Sequence, residues 1–361
     1  MAETPVAQSA IYSARPTVRI AGQADPRITE LVMAMRMDEH EGGMSSLDMR
    51  FSNLAPTTDG GAELAFDSNS TLKLGADIAV YAGDATQPRE IFRGKVTAME
   101  LEYKIGNGPE LTVLAEDALS AARRARQSKV YTDKSPADVV RAIASDLGLT
   151  PTISGLDSPT ATWAQINESD LSFLRRLLAR FDADMQIVGT DLQVSARKDV
   201  NRGTLELALF GQLAKVRVIA DLAEQVSTIT TSGWNAKDGN KVTGSAAAGT
   251  NLGGGSGRDG KSVLEEALES RAEHIGHLAV ATNDEAQAVA EAAFDLRARR
   301  FVRAEGTTEG NAQLRVGASV KLTGISPQFD NTYYVSRACH IYDLKQGYRT
   351  EFSAECAYLG S

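Results

Sequence analysis

The sequence predicts an α+β fold that is mainly β, with two similar small β-barrels and with α/β and helical insertions. Short alternating runs with glycine turns occupy both ends of the chain, and amphipathic helical segments are confined to the middle. A strand-and-turn pattern near residue 75 also recurs near residue 317. With 361 residues, the chain is too long for one compact core and suits two or three domains.

The first hundred residues are predicted to form strands, because apolar and polar residues partly alternate and turn residues separate the runs. The segment Gly106-Asn107-Gly108-Pro109 separates two such runs, as a hairpin loop would. The predicted strands are 31–37, 47–51, 78–81 and 91–96.

Helical signals begin after Leu114. Ser135-Pro136-Ala137-Asp138 is a typical helix start, with a capping serine, proline at the first helical position and an acid near the positive end of the dipole. Apolar periodicity predicts a second helix over 169–182. Strands are expected to follow at 185–188, 192–194, 205–207 and 226–229.

Residues 235–260 are rich in glycine, serine and alanine and have almost no apolar anchors. Such a segment buries too little surface to offset its ordering entropy, so it is predicted to be a mobile loop. Helices are expected next, the clearest beginning near Asn283, and strands at about 316–323, 333–342 and 349–358 close the chain.

Two parts of the chain resemble each other. Residues 74–80 read like residues 316–322, Val96 matches Val335, and Gly108 matches Gly347 at the same offset of 239. Any two β-hairpins share glycine turns and alternation, which is the plain alternative. The interpretation preferred here is two copies of one small β-barrel, the second interrupted by the loop and helices.

The predicted division of the chain has four parts. These are a first barrel over 1–118, an α/β insertion over 119–199, a second barrel over 200–235 and 306–361, and a flexible glycine-rich loop with helices over 236–305.

Composition excludes several classes of protein. A net charge of −9 argues against a protein that holds nucleic acid through phosphate contacts. The sequence contains no run of about eighteen apolar residues, so no membrane span is predicted. Met1-Ala2-Glu3-Thr4-Pro5 lacks the basic and apolar parts of a secretory signal. Cys339 and Cys356 are too few for a disulfide framework and are expected to be buried thiols that do not face each other.

One segment fits a catalytic motif. Residues 255–262 read GSGRDGKS and match the phosphate-binding pattern G-x-x-x-x-G-K-[ST], in which Lys261 would reach the terminal phosphates and Ser262 would hold magnesium. A true P-loop follows a buried strand, which residues 246–254 cannot form. The match is therefore interpreted as a coincidence in a glycine-rich loop.

No other catalytic, cofactor or metal site is predicted. His274 and His277 lie three apart on an expected helix but lack a third ligand at a recognised spacing. His40 and His340 lie in strand-like runs without a neighbouring nucleophile motif, and G-x-S-x-G is absent. Acidic residues are plentiful, but the sequence pairs none of them as a glycosidase requires.

Several segments, taken in order, resemble the late-control protein D family of phage tail hubs, whose domain also forms the N-terminal part of VgrG proteins. Each motif alone is weak, whereas the ordered set covers nearly the whole chain. The matching segments are 92–96, 111–117, 167–177, 226–235, 305–311, 317–320, 333–335 with His340, and 348–352.

The resemblance implies a structural baseplate hub of a contractile phage tail or contractile injection system, without catalytic activity or cofactor. Hubs of this family are trimers whose six similar barrels match a hexameric tail tube on one face and a three-fold spike on the other. The implied partners are further copies of the chain, the tail tube protein, a central spike protein and other baseplate proteins. The implied location is a virion tail or an extracellular injection particle assembled in the bacterial cytoplasm.

The chain ends at Ser361 without the OB-like domain and needle of VgrG proteins, so the spike is expected to be a separate protein. Two alternatives of other classes remain open at this point. One is a P-loop nucleotide hydrolase that uses residues 255–262, and the other is a tail-associated peptidoglycan hydrolase.

Overall fold

The computed structural model describes residues 15–57, 60–67, 70–83, 88–250 and 252–360. The interpretation of Met1–Pro5 as lacking a signal therefore lies outside the described residues. Strands make up 48% and helices 18% of the structure, which confirms an α+β fold that is mainly β.

The first part of the chain forms a β module around a core that includes Met37, Met49 and Phe51, all of them buried. Its elements are β1 (Thr17–Ile20), β2 (Gln23–Ala24), α1 (Pro26–Glu30), β3 (Val32–His40), β4 (Ser46–Ser52), β5 (Leu54–Pro56), β6 (Ala62–Leu64), β7 (Asp77–Ala82), β8 (Arg89–Glu102) and β9 (Glu110–Glu116).

An α/β insertion with its own hydrophobic core follows. Its first helix begins where the sequence predicts, because Ser135 and Asp138 form a reciprocal capping box with bonds of 3.1 and 3.2 Å. Its elements are β10 (Arg126–Lys134), α2 (Pro136–Asp146), β11 (Thr150–Ser154), β12 (Ala161–Ser169), α3 (Asp170–Ala179), β13 (Ala183–Val188) and β14 (Asp191–Ala196).

The rest of the chain forms a second β module and a smaller helical unit, each with a separate apolar cluster. Their elements are β15 (Thr204–Ala208), β16 (Leu213–Ala220), β17 (Thr228–Asn235), β18 (Asn240–Ala246), β19 (Arg258–Asp259), α4 (Gly260–Ala267), β20 (Ala272–Ile275), α5 (Asn283–Arg299), β21 (Val302–Glu309), β22 (Ser319–Thr323), β23 (Asn331–Asp343), β24 (Gly347–Cys356) and β25 (Tyr358–Leu359).

The two β modules share one 13-stranded sheet. Its main path runs β16-β21-β24-β23-β3-β4-β9-β8-β7-β1-β2, and β22 joins β23 and β15 off this path. The modules meet where β23 of the second pairs with β3 of the first. The sequence predicts two similar small β-barrels and does not predict this junction.

The prediction of a mobile loop over 235–260 is wrong for β18. This strand pairs with β17 from Ile229–Ala246 to Asn235–Asn240, and Val242 is buried. Helix α5 also caps its outward backbone groups, since the Asn283 side chain accepts the N–H of Thr243 at 3.0 Å. The loop prediction considers only the composition of the segment. These contacts with β17 and α5 offset the conformational entropy that the segment loses on ordering.

The helix expected around His274 and His277 is also absent. His274 lies in β20, which pairs in parallel with β17, and His277 lies in the turn region that follows. Pairing with β17 outweighs the weak helical pattern of this short segment. In the described ranges, no helix combines the length and apolarity needed to span a membrane.

Candidate functional site

The two β modules make the same hydrogen bonds at equivalent positions. The N–H of Gly75 donates to the carbonyl of Val96 at 2.8 Å, and that of Gly317 donates to Val335 at 2.9 Å. The N–H of each valine in turn donates to the carbonyl of the residue that follows the glycine, at 3.0 and 2.9 Å. Both glycines have positive φ, +79° and +85°. The repeat seen in the sequence is therefore a repeat of backbone geometry.

The long strand of each module also carries the same β-bulge. The β8–β9 register shifts just after Val96, and the β23–β24 register shifts just after Val335. In the first bulge the Thr97 hydroxyl donates to the carbonyl of Leu114 at 3.3 Å. The equivalent Ser336 hydroxyl donates to Ser353 at the same distance. Because bulges bend a strand at a defined point, the two long strands have matching bends.

Inside the chain, the second half of β23 pairs with β3 across seven residues, from Arg337–His40 to Asp343–Ala34. On the core side of this junction Tyr342 lies opposite Met35, and both side chains are buried. The junction thus joins the long hairpin of one module to the first long strand of the other.

Because the two modules are equivalent, a second junction of the same kind is expected between β8 and β16. Within the described residues, the edges that would form it are unpaired. Residues 98–102 of β8 and the two residues after the strand correspond to 337–343 by the offset of 239. On the edge away from β9, residues 98–102 pair with no strand in the described ranges. The edge strand β16 corresponds to β3, because Leu213 and Lys215 flank a register shift equivalent to that between Val32 and Ala34. As the last strand on the path, β16 pairs with β21, and within the described residues its other edge has no strand partner.

Side-chain exposure marks the same open edge. Leu101 is 49% and Tyr103 64% exposed, whereas the equivalent His340 and Tyr342 are buried. The difference arises because β3 covers the second pair and nothing described covers the first. Large apolar side chains on an open strand edge are a typical site for adding another strand.

A buried ion pair joins the modules at the internal junction. The Arg315 guanidinium donates two hydrogen bonds to the Glu39 carboxylate, at 2.7 and 2.8 Å, and the backbone N–H of Val316 adds a third at 3.1 Å. Burial alone would raise the pKa of Glu39, but Arg315 and the backbone donor outweigh it and hold the pKa below its usual range. Glu39 therefore stays ionised inside the joint.

His340 lies beside this ion pair. Its Nδ1 atom is 2.7 Å from the Tyr348 hydroxyl, and its ring is fully buried. Burial, together with the positive charge of Arg315, lowers the pKa of His340 to about 3, against the opposing influence of Glu39 and Asp38. The imidazole is thus neutral at neutral pH and serves as part of the packed joint.

Polar contacts also fix the insertion against the first module. Asp184, fully buried, accepts the N–H of Gly42 at 3.2 Å and bonds Arg202 at 2.9 Å. From α3, the Arg175 side chain donates to the carbonyls of Gly42 and Gly43 at 2.9 and 2.7 Å. The insertion therefore covers the loop between β3 and β4, at the end of the sheet opposite the β8–β9 loop.

The P-loop-like segment has a different geometry from a nucleotide site. Asp259 caps α4 by accepting the N–H of Ser262 at 2.7 Å, so a carboxylate occupies the helix end where a P-loop holds phosphate. Lys261 donates to the carbonyl of Ala247 at 2.6 Å. Only the two-residue strand β19 precedes the helix. The segment lacks the rigid buried strand that the motif requires.

The remaining sequence candidates do not converge on one another. His274 contacts Thr230 and Ser232 on an exposed strand surface, and His40 lies at the end of β3. Cys339 and Cys356 are buried free thiols, as predicted, and Cys339 pairs with Glu351. Across the described ranges, no group of three His, Cys, Asp or Glu side chains is arranged to hold a metal ion.

Sequence reasoning missed the β3–β23 junction and its ion pair. Glu39 and Arg315 are 276 positions apart, and neither lies in a motif. The signal that was available is the repeat itself: two copies of one module imply that a contact made by one copy recurs at the other.

Comparison with solved structures gives the fold class. The 43 kDa tail protein of prophage MuSo2 from Shewanella oneidensis has a TM-score of 0.67 at 11% identity, covering 94% of this chain and 97% of that one. A tail protein from Neisseria meningitidis has a TM-score of 0.60 at 11% identity, covering 94% and 96%.

A third similar structure is the c3393 protein of E. coli, described as a component of the type VI secretion system with structural similarity to the T4 bacteriophage tail proteins gp27 and gp5. Its TM-score is 0.59 at 14% identity, covering 95% of this chain and 78% of that one. Identities this low show a shared fold, which is the fold of phage tail and type VI secretion proteins.

At the sequence level, the Alg8 N-terminal domain family matches residues 57–343, and the chain belongs to this family. The match is not to late-control protein D, so that narrower family stays a resemblance. None of the curated proteins matches the chain.

Proposed function

We propose that this protein is a structural baseplate hub of a contractile phage tail or contractile injection system. In this role it forms a homotrimeric, pseudo-six-fold ring that joins a hexameric tail tube to a central spike protein. The observation that carries the proposal is the internal β3–β23 junction, together with the two unfilled edges that are equivalent to it.

The unfilled edges fit each other by the register of the internal junction. If β8 of one chain, extended by one residue, pairs with β16 of the next, Tyr103 faces Val216 and Leu101 faces Val218, just as Tyr342 faces Met35 and His340 faces Met37. Both valines already pack partly against the core of the second module. On the opposite face, Glu102 would lie across from Arg217, which places opposite charges together.

Such an interface is heterologous, since β8 of each chain meets a different strand of its neighbour. Heterologous contacts form rings when the rotation closes and filaments when it does not. Eight strands lie on the path from β16 to β8, so three chains would give a closed sheet of 24 strands. The number three comes from the resemblance to trimeric hubs.

The oligomeric state tests the proposal. Size-exclusion chromatography with light scattering should give a trimer for the wild type. Leu101→Asp should give monomers, because a charge would have to be buried at the strand junction. Leu268→Asp, at a similarly exposed residue after α4, is the matched control and should remain trimeric. A wild-type chain that stays monomeric at high concentration would contradict the proposal.

The partners and location follow from this role as parts of the same proposal. They are the tail tube protein, a spike and other baseplate proteins, in a virion tail or an extracellular injection particle assembled in the bacterial cytoplasm. The shared fold with phage tail and type VI secretion proteins supports this class of particle. A more specific part of the proposal is that the chain is related to the late-control protein D family.

The proposed domain division is 1–118, 119–199, 200–235 with 306–361, and 236–305. Hydrophobic clusters centred on these ranges support it. Three of them cross the proposed boundaries: the first includes Tyr342 and Tyr348, that of the second barrel includes Phe301 and Val302, and Ile229 shares a cluster with Ala290. Limited proteolysis should therefore cut between the clusters before it cuts within β17 or β18.

No enzymatic role is part of the proposal. The bonds of Lys261 and Ser262 within the chain support this for nucleotide hydrolysis. Titration of the wild type with ATP and magnesium should show no binding. Binding that disappears in Lys261→Ala would restore the nucleotide-hydrolase alternative, and digestion of purified peptidoglycan would restore the wall-hydrolase alternative.

A further inference from the structure

The tips of the two equivalent long hairpins carry exposed aliphatic residues at matching positions. Ile105 lies in the loop between β8 and β9, and Leu344 lies in the loop between β23 and β24. They are separated by the same offset of 239 that relates Val96 to Val335. Ile105 is fully exposed and Leu344 is 59% exposed.

The internal junction shows that strand pairing does not bury this position. Tyr342, two residues before Leu344, is buried where β23 meets β3, yet Leu344 remains exposed beyond the end of that pairing. By equivalence, a neighbouring chain on β8 would cover Tyr103 and leave Ile105 exposed. The two tips are therefore still free after the ring has closed.

Other exposed apolar residues lie at the same end of the sheet. Strand β4 reaches this end at Ser52, and the cross-strand pair Leu54 and Leu64 follows it, both more than 40% exposed. Phe210, 94% exposed, precedes β16 beside Gln212, whose carbonyl accepts hydrogen bonds from the end of β21. We call Ile105, Leu344, Leu54, Leu64 and Phe210 the apolar rim.

The opposite end of the sheet is occupied by the chain's own insertion. The insertion begins where β9 ends at Glu116, and its Arg175 bonds the loop after β3. A partner that approaches along the axis of the proposed ring can therefore contact the apolar rim at one end of the sheet. The insertion occupies the other end.

The charges around the rim favour a protein partner. Glu102 pairs with Lys104 at 2.8 Å, and Asp343 pairs with Arg349 at 2.6 Å, so each tip is flanked by both signs of charge. Apolar side chains surrounded by charged residues of both signs are typical of protein–protein interfaces. An anionic membrane or a nucleic acid would call for an excess of positive charge.

We propose that the apolar rim is the surface that receives a six-fold ring-shaped protein, with Ile105 and Leu344 inserted into equivalent apolar sockets of that partner. The proposal rests on the proposed trimeric hub, in which two tips per chain become six. A partner that engages both tips by the same contact must itself repeat that contact around a ring, as a hexameric tube does.

The test uses the full chain and the hexameric tail tube protein of the same genome as the probe. In Ile105→Asp with Leu344→Asp, the trimer should persist while the dissociation constant for the tube ring rises at least 30-fold. Each single substitution should weaken binding by a smaller factor. Val130→Asp with Leu268→Asp changes two exposed apolar residues away from the rim, each about as exposed as Leu344, and should leave binding unchanged.

The outcomes separate this inference from the proposed hub. A wild-type trimer that binds the tube, with unchanged affinity in the double variant, overturns the rim and leaves the hub standing. A chain that never trimerises overturns both. Trimers that stack on each other through the rim, or that bind phosphatidylglycerol vesicles through it, would show that the occupant is a second copy or a membrane, and either result overturns the assignment to a ring protein.

Discussion

At the scale of single residues, the junction between the two modules depends on one carboxylate. Glu39 lies in β3, and its carboxylate accepts three hydrogen bonds from Arg315 and Val316 of the second module. Glu39 is almost fully buried, and Arg315 keeps about a fifth of its side chain exposed. Removing one member of such a pair leaves the other as an uncompensated charge.

Glu39→Gln should therefore lower the free energy of unfolding by about 2 kcal/mol, a value reduced from that of a fully buried pair by the partial exposure of Arg315. Urea denaturation measures the change. The matched control is Glu206→Gln, which removes the exposed Glu206–Lys321 pair, formed at a similar distance of 2.9 Å, and should cause no measurable loss. Equal losses in the two variants would show that Glu39 has no special role at the joint.

His340 gives a second prediction, on pH. Its folded pKa of about 3 lies below the value near 6.5 expected in the unfolded chain. Between these values the unfolded state binds the extra proton, so this contribution to stability is complete above pH 6.5 and declines as the pH falls. The decline is at most about 1.4 kcal/mol per pH unit.

His340→Gln should remove this dependence of the free energy of unfolding on pH. The amount by which the variant is less stable than the wild type should therefore shrink as the pH falls from 6.5 to 4.5. Denaturant unfolding at several pH values in this window measures the difference between the two proteins. A difference that stays constant with pH would mean that His340 does not carry the coupling.

At the scale of elements, the two turn glycines give a comparison within one chain. Gly75 and Gly317 share the left-handed conformation, but a Cβ at Gly75 meets no atom within 4 Å. A Cβ at Gly317 would lie 2.5 Å from Arg202 Nη1 and 2.8 Å from Val200 Cγ1. The Arg202 guanidinium is held by Asp184 and by the carbonyl of Val316, so it cannot move away freely.

Gly75→Ala should cost about 1 kcal/mol, from the backbone conformation alone. Gly317→Ala should cost about 2–3 kcal/mol, because steric displacement of Arg202 is added to the same backbone term. Thermal or urea unfolding compares the two variants directly. Equal costs would indicate that Arg202 adjusts without loss.

Elements with local signals could be predicted from the sequence. The Ser135 cap, Pro136 and the apolar face after them define the start of α2. Apolar periodicity places the start of α3 within a residue but its end at 182, three residues beyond the observed Ala179. Strand β18 could not be predicted, because its order comes from β17 and α5 rather than from its own composition. The strand that contains His274 was missed for the same reason.

At the scale of the whole molecule, the repeat could be predicted and the joining of its copies could not. Alternation and glycine turns identify each module locally. The β3–β23 pairing joins residues some 300 positions apart, and the sequence does not specify which edges meet. The open edges of β8 and β16 follow only after that pairing is known.

In the proposed ring, β8 of one chain pairs with β16 of the next in the register of the internal junction. Oxidative cross-linking of a Leu101→Cys, Val218→Cys variant tests it, since six strands separate β8 from β16 within one chain. The native cysteines give little background, because burial raises the pKa of Cys339 to about 12 and that of Cys356 to about 11.

Covalent dimers and trimers of Leu101→Cys, Val218→Cys are expected on a non-reducing gel. Little cross-linking is expected for Leu101→Cys, Arg217→Cys, because a shift of one residue moves the second thiol to the other face of the strand. Absence of cross-linked species in the first variant, or equal yields in both, would rule out this strand pairing.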